Sequence, residues 1–105
     1  MVDGADYLYT DVWTSMGQET ENEIRKQAFL KYQLNQSVLK LAPRHCKVLH
    51  CLPARRGQEV TDDVLDSDQS IVFQQAGNRL HAQKGLLVWL AMQNGYIDEN
   101  RVKVG

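Results

Sequence analysis

Three short segments of this chain carry residues whose types and spacing suit chemistry. The first is Asp11-Val12-Trp13-Thr14-Ser15-Met16-Gly17, which follows the aromatic and β-branched run Tyr7-Leu8-Tyr9-Thr10. A carboxylate at a strand end, followed by backbone N–H groups at a helix start, offers an acceptor for an ammonium and donors for a carboxylate. An α-amino acid requires that combination. The plainer alternative is that Asp11 starts a turn and Ser15 only caps a helix, since Ser15 and Gln18 have capping-box spacing. The second segment is His50-Cys51-Leu52-Pro53, placed directly after the apolar pair Val48-Leu49. An apolar run that stops at a proline reads as a buried strand entering a loop, and loops at strand ends are where α/β proteins hold ligands. The third is Asn78-Arg79, in the first turn of a predicted helix. A guanidinium there is slightly disfavoured by the helix dipole, and its planar fork of donors suits an oxygen that gains negative charge.

The run His45-Cys46-Lys47-Val48-Leu49-His50-Cys51 invites a zinc site. Strand geometry opposes it. Cys46 and His50 share a face but stand ~13 Å apart at ~3.3 Å per residue. Zinc bonds span only ~2.0–2.3 Å, so one straight strand cannot bring both to a single ion. No metal is expected, and Cys46 and His45 are assigned structural roles. His81 and Lys84 read as surface or interdomain residues.

These groups need a scaffold, and the pattern supplies one. Tyr7 to Trp13 reads as a strand and roughly Glu19 to Lys31 as a helix, acidic early and basic late in accord with its dipole. Asn35 caps a short helix that ends near Ala42-Pro43, with Leu34 and Leu39 at staple positions. Cys46 to Leu52 is a second strand. Thr61 caps a helix over Asp62 to Asp66, with Val60 and Leu65 as its staple. Ser70 to Phe73 reads as a short third strand. A last helix, about Gly77 to Gln93, has almost no polar face in its second half and calls for cover from another body. Gly95 ends it, and Tyr96 to Gly105 reads as a polar tail. The predicted class is α/β: a partial Rossmann-like, three-layer fragment with a short parallel sheet, flanking helices and a long apolar C-terminal helix.

At 105 residues the chain suits one small domain and is too short for a two-domain enzyme. A net charge of −1 gives no electrostatic reason to expect nucleic acid or an anionic membrane as partner. The longest apolar run, Gly85 to Met92, is too short to span a bilayer, and the first residues lack the regions of a secretory signal. Two cysteines in an α/β pattern favour a reduced, cytoplasmic setting.

Taken together, Tyr9 to Glu19, His50 to Pro53 and Asn78 to Lys84 resemble the carboxyl-terminal part of the ornithine carbamoyltransferases, in matching order and spacing through nearly the whole chain. The Ser15-Met16-Gly17 stretch is similar to the ornithine enzymes, whereas Arg55-Arg56 is like the acetylornithine and succinylornithine relatives. The resemblance implies carbamoyl transfer from carbamoyl phosphate to the δ-amine of ornithine, giving citrulline and phosphate without any cofactor. It implies that Asp11 and Ser15 meet the amino end of ornithine, while main-chain groups of Ser15 and Met16 face its carboxylate. Cys51, the Leu52 carbonyl and Arg79 would contact carbamoyl phosphate, making Asp11, Cys51 and Arg79 the catalytic groups. A covalent role for Cys51 is disfavoured, because the family transfers the carbamoyl group directly. Relatives often carry Glu at the position of Gly77, so a carboxylate beside Arg79 is missing here.

The family's Ser-x-Arg-Thr-Arg phosphate anchor and His-Pro-x-Gln loop are not found in these residues. Residues 1–105 are therefore expected to be the C-terminal portion of an ornithine-binding domain, without its carbamoyl-phosphate domain. The isolated chain is expected to make no citrulline. Family members are typically trimers, so a homo-oligomer is expected. The competing reading is a catalytically inactive remnant or a self-associating interaction module.

Overall fold

The computed structural model describes residues 2–14 and 22–98. The elements in order are β1 (Tyr7–Thr10), α1 (Asn22–Phe29), a 3₁₀ turn (Leu30–Tyr32), α2 (Gln36–Leu39), β2 (Lys47–His50), α3 (Asp62–Leu65) and α4 (Val72–Gln93). β1 and β2 form a two-stranded parallel sheet in the register Tyr7↔Lys47, Leu8↔Val48, Tyr9↔Leu49 and Thr10↔His50. The chain is therefore α/β, with helical segments linking and following the strands. It divides into two compact units, Met1–Gln75 and Ala76–Gly105.

The first unit owes its stability to one cluster: Leu34, Leu39, Val48, Val60, Val64, Leu65 and Val72, with Leu8, Val38 and Ala54 packed against it. Side chains alternate across a strand, so Val48 and His50 turn into this cluster while Tyr9 and Cys51 turn to the open face. Each fully buried valine contributes about 1.5–3 kcal/mol relative to exposure. Asn35 caps α2 as its residue type predicts, its side-chain oxygen accepting from Val38 N–H at 3.1 Å. The staple residues Leu34, Leu39, Val60 and Leu65 are all buried.

Four expectations change. Both strands are shorter than the pattern suggests, so Asp11 and Cys51 are the first residues beyond them. The third strand is reduced to a single bridge, Val48↔Ser70, in which Val48 N–H donates to Gln69 and Ile71 N–H to Val48. Val72 and Phe73 then open α4, where Val72 is buried, Phe73 and Gln74 are exposed and Gln75 is half-buried, the i, i+3 recurrence of a helix. Thr61 occupies the N-cap position of α3, but its hydroxyl makes no capping bond.

The 22 residues of α4 include an added first turn with Gln74 and Gln75, so the helix is not uniformly apolar. Within the second unit Leu80, Leu86, Leu87, Trp89 and Leu90 are exposed alongside Asn78, Arg79, Gln83 and Lys84. Among the described residues no helix is long and apolar enough to cross a membrane.

Candidate functional site at the ends of the parallel strands

Parallel pairing brings together residues forty positions apart. Because Thr10 faces His50 across the ladder, the next residues, Asp11 and Cys51, emerge side by side. The Cys51 thiol donates to Asp11 Oδ1 at 3.0 Å, and Val12 N–H donates to the same oxygen at 2.7 Å. Both hydrogen bonds hold the Asp11 carboxyl below the usual carboxylate range, the thiol's being the larger influence. The same contact, followed by partial desolvation, pushes the Cys51 thiol above its ordinary value. At neutral pH the site thus presents an anionic carboxylate and a neutral S–H donor. A thiol held protonated is a poor nucleophile, which weakens any covalent role for Cys51.

Behind Cys51 the strand buries a polar pair. His50 Nε2 lies 2.9 Å from Glu59 Oε1, with both side chains fully enclosed. Leu52 N–H donates to His50 Nδ1 at 2.8 Å, so Nδ1 is unprotonated and the ring proton sits on Nε2, donated to Glu59. Both ring nitrogens are engaged, and His50 has nothing left for a metal. Nδ1 also stands 3.9 Å from the Cys51 sulfur. Leu52 adopts φ +55°, a left-handed conformation that costs a branched residue about 1–2 kcal/mol, and precedes Pro53 through a cis peptide. The hydrogen bond to His50 helps to hold it there and turns the Leu52 backbone beside the thiol.

Glu59 reaches the pair from the loop after Pro53. Its Oε1 also accepts from Arg55 N–H at 2.6 Å, while Oε2 is buried with no partner. The loop is fixed at several points. Gly57, at φ +79°, allows the tight turn in which its N–H donates to the Val60 carbonyl. Leu34 N–H donates to the Glu59 carbonyl, and Thr61 N–H donates back to Leu34. Arg56 bridges Asp62 at the start of α3 and Asp66 at its C-cap, with all three contacts at 2.7–2.8 Å.

Of the residues singled out from sequence, the structure brings together Asp11, Cys51 and Leu52. Ser15 and Met16, with the Ser15–Gln18 capping box, lie outside the described residues. Arg79 belongs to the second unit, where it is exposed on α4. Sequence reasoning missed Glu59 and Gln75, whose Oε1 accepts from His50 N–H at 3.0 Å. Nothing in the local pattern marks Glu59 as buried. Among the described residues no cluster of three His, Cys, Asp or Glu side chains could hold a metal ion.

Known proteins resemble this chain in sequence and fold. The family model described as "Aspartate/ornithine carbamoyltransferase, Asp/Orn binding domain" matches residues 1–90. The ornithine carbamoyltransferase of Mycolicibacterium smegmatis is 59% identical over 88 residues, which are 84% of this chain and 29% of that protein. That of Geobacillus stearothermophilus is 59% identical over 87 residues, 83% of this chain and 28% of the relative. Among solved structures, ornithine carbamoyltransferase from Pyrococcus furiosus superposes with a TM-score of 0.76 at 56% identity, covering 82% of this chain and 28% of that one. The anabolic ornithine carbamoyltransferase of Campylobacter jejuni gives a TM-score of 0.78 at 35% identity, covering 88% and 30%. The chain thus spans less than a third of the length of these relatives. By sequence and fold, the chain belongs to the aspartate/ornithine carbamoyltransferase family.

Proposed function

We propose that this chain serves carbamoyl transfer from carbamoyl phosphate to the δ-amino group of ornithine, yielding citrulline and phosphate, and supplies the ornithine side of the site. Residues 1–105 correspond in this reading to the C-terminal portion of the ornithine-binding domain, acting within a cytoplasmic homo-oligomer. Asp11, Ser15 and Met16 hold the amino acid; Cys51, Leu52 and Arg79 hold the carbamoyl donor. The observation that carries the reading is the 3.0 Å contact between Asp11 and Cys51 at the open end of two parallel strands.

The chemistry follows from the protonation states. The neutral δ-amine attacks the carbamoyl carbon, an N–C bond forms, and the C–O bond to phosphate breaks as the nitrogen loses a proton. Asp11, ionised at neutral pH, attracts a substrate ammonium. The Cys51 sulfur and the Leu52 carbonyl offer acceptors that orient the attacking N–H groups. Arg79 would counter the negative charge that gathers on the carbamoyl phosphate oxygens during attack.

The test is transplantation. Residues 1–90 replacing the matching segment of the Mycolicibacterium smegmatis enzyme are expected to yield citrulline, with Asp11→Asn or Cys51→Ser lowering kcat/KM by at least tenfold. An active chimera indifferent to both substitutions would refute the assignment. The 105-residue chain by itself is expected to form no citrulline. A protein-dependent rate lost on Arg79→Ala or Cys51→Ser would overturn that expectation. The exposed leucines and Trp89 of α4 favour one second reading, a self-associating module without catalysis.

A further inference from the structure

Glu59 reaches His50 from the loop that follows Pro53, and two side chains outside the mechanism tie that loop to neighbouring elements. Gln33, directly after the 3₁₀ turn, donates from Nε2 to the carbonyls of Gly57 at 3.1 Å and Gln58 at 2.8 Å. Carbonyls only accept, so the amide cannot be turned round, and its Oε1 takes the Asn35 Nδ2 at 3.4 Å. Asn35 is itself fixed as the cap of α2. Arg56 ties the same loop to α3, with a two-pronged contact to Asp66 and a single one to Asp62. Both ties fall immediately before Glu59 in the chain.

We propose that Gln33 and Arg56 are positioning residues that set where Glu59 sits beneath β2, and through it the Leu52 backbone beside Cys51. This rests on the proposed reading in one respect, that an amine docks at Cys51 and the Leu52 carbonyl. Glu59 Oε1 serves His50 Nε2–H at 2.9 Å and Arg55 N–H at 2.6 Å together, so a loop that drifts loses one donor while keeping the other. Without its Glu59 partner the His50 ring is free to turn, and Nδ1 then releases Leu52 N–H. Leu52, at φ +55°, keeps its left-handed conformation only while its surroundings hold it. Gly57 and Arg56 are exposed, so water replaces the bonds that either substitution removes, and exposed ion pairs add little to stability. Water cannot replace the fixed position. A shift of about 1 Å away from the chemistry can cost about a hundredfold in rate. Gln33 and Arg56 would therefore act through Glu59 and His50, without touching the reacting atoms.

Amide hydrogen exchange on the 105-residue chain, followed by NMR, reads the loop without turnover. Gln33→Met keeps the length of the side chain and removes its donor, and Arg56→Gln removes the fork. In each variant, exchange at the Leu52 and Arg55 amides is expected to quicken about two- to tenfold, the factor carried by one hydrogen bond of ordinary net strength. Val48 N–H, which donates to the Gln69 carbonyl, is expected to keep its parent rate. A general loss of stability would instead raise all three alike, because each would then exchange through global unfolding. In the chimera the same substitutions should lower kcat about three- to tenfold while the KM for ornithine holds, since the ammonium contact at Asp11 is untouched and only the geometry of attack is loosened. Should one variant fail to fold, the other carries the test. Leu52 and Arg55 exchanging at the parent rate in either folded variant, or rising only in step with Val48, would overturn the assignment, as would an active chimera whose kcat does not move. A chimera that makes no citrulline would count against the proposed reaction and leave amide exchange to decide the roles of Gln33 and Arg56.

Discussion

Glu59 offers a perturbation whose size can be worked from its contacts. Its Oε1 accepts from two enclosed donors, His50 Nε2–H at 2.9 Å and Arg55 N–H at 2.6 Å. Glu59→Ala would leave both donors unpaired in a site closed to water, at about 1–3 kcal/mol each, so about 2–6 kcal/mol together. A domain of this size has about 5–15 kcal/mol in total, so the substitution consumes a large share. Glu59→Gln behaves differently. Its oxygen can keep both donors, but its amide nitrogen takes the place of Oε2, which has no partner to receive an N–H. Since Oε2 already lacks a partner, Glu59→Gln exchanges one unpartnered buried atom for another and should cost less than Glu59→Ala. The expected order of stability is parent, Glu59→Gln, then Glu59→Ala, measured by urea unfolding under far-UV circular dichroism with unchanged m-values. A Glu59→Ala protein within about 0.5 kcal/mol of the parent would refute the reasoning, since effects of that size are typical of surface positions.

Two further outcomes follow from the same geometry. Asp11 is held below the usual carboxylate range by Cys51 and Val12, and Asp66 by Arg56, so each contributes stability that is complete above its unfolded value, about 4, and lost as pH falls through its lower folded value. The urea midpoint of the parent should therefore drop on acidification across and below that range, and Asp11→Asn should show a shallower drop; parallel curves would count against the Asp11 contacts. The exposed Leu86, Trp89 and Leu90 should drive concentration-dependent association. Sedimentation is expected to show dimers or larger species that diminish in Trp89→Glu, and a clean monomer across the concentration range would contradict this.

The legible part of the fold was what local chemistry decides. Asn35 is a good cap wherever its helix sits, and the staple pairs Leu34–Leu39 and Val60–Leu65 are short-range patterns. The strand–turn character of His50 to Pro53 and of Asp11 was likewise written in adjacent residues. Errors arose where tertiary burial outweighed local propensity. Ile71-Val72-Phe73 has the residue types of a strand, yet pairing with β2 stops at the single bridge Val48↔Ser70 and the chain is helical from Val72. Thr61 has the right type for a cap, but backbone pairing with Leu34 fixes it without using its hydroxyl. Glu59 was invisible for the same reason: a carboxylate normally signals solvent, and only the return of the loop onto β2 shows that this one is enclosed. Proximity of Asp11 to Cys51 depends on strand register, which neither segment encodes alone.

His50 and Cys51 occupy opposite sides of a single peptide step, and this has a consequence for how the protein tolerates change. On the solvent side a substitution alters one functional group and leaves the hydrophobic interior untouched. On the inner side any replacement must satisfy the enclosed imidazole, and the backbone that carries the thiol moves with it. Variation introduced by design should therefore enter through the outer row, whereas randomising the inner row would couple folding yield to ligand affinity and make the two difficult to tune separately.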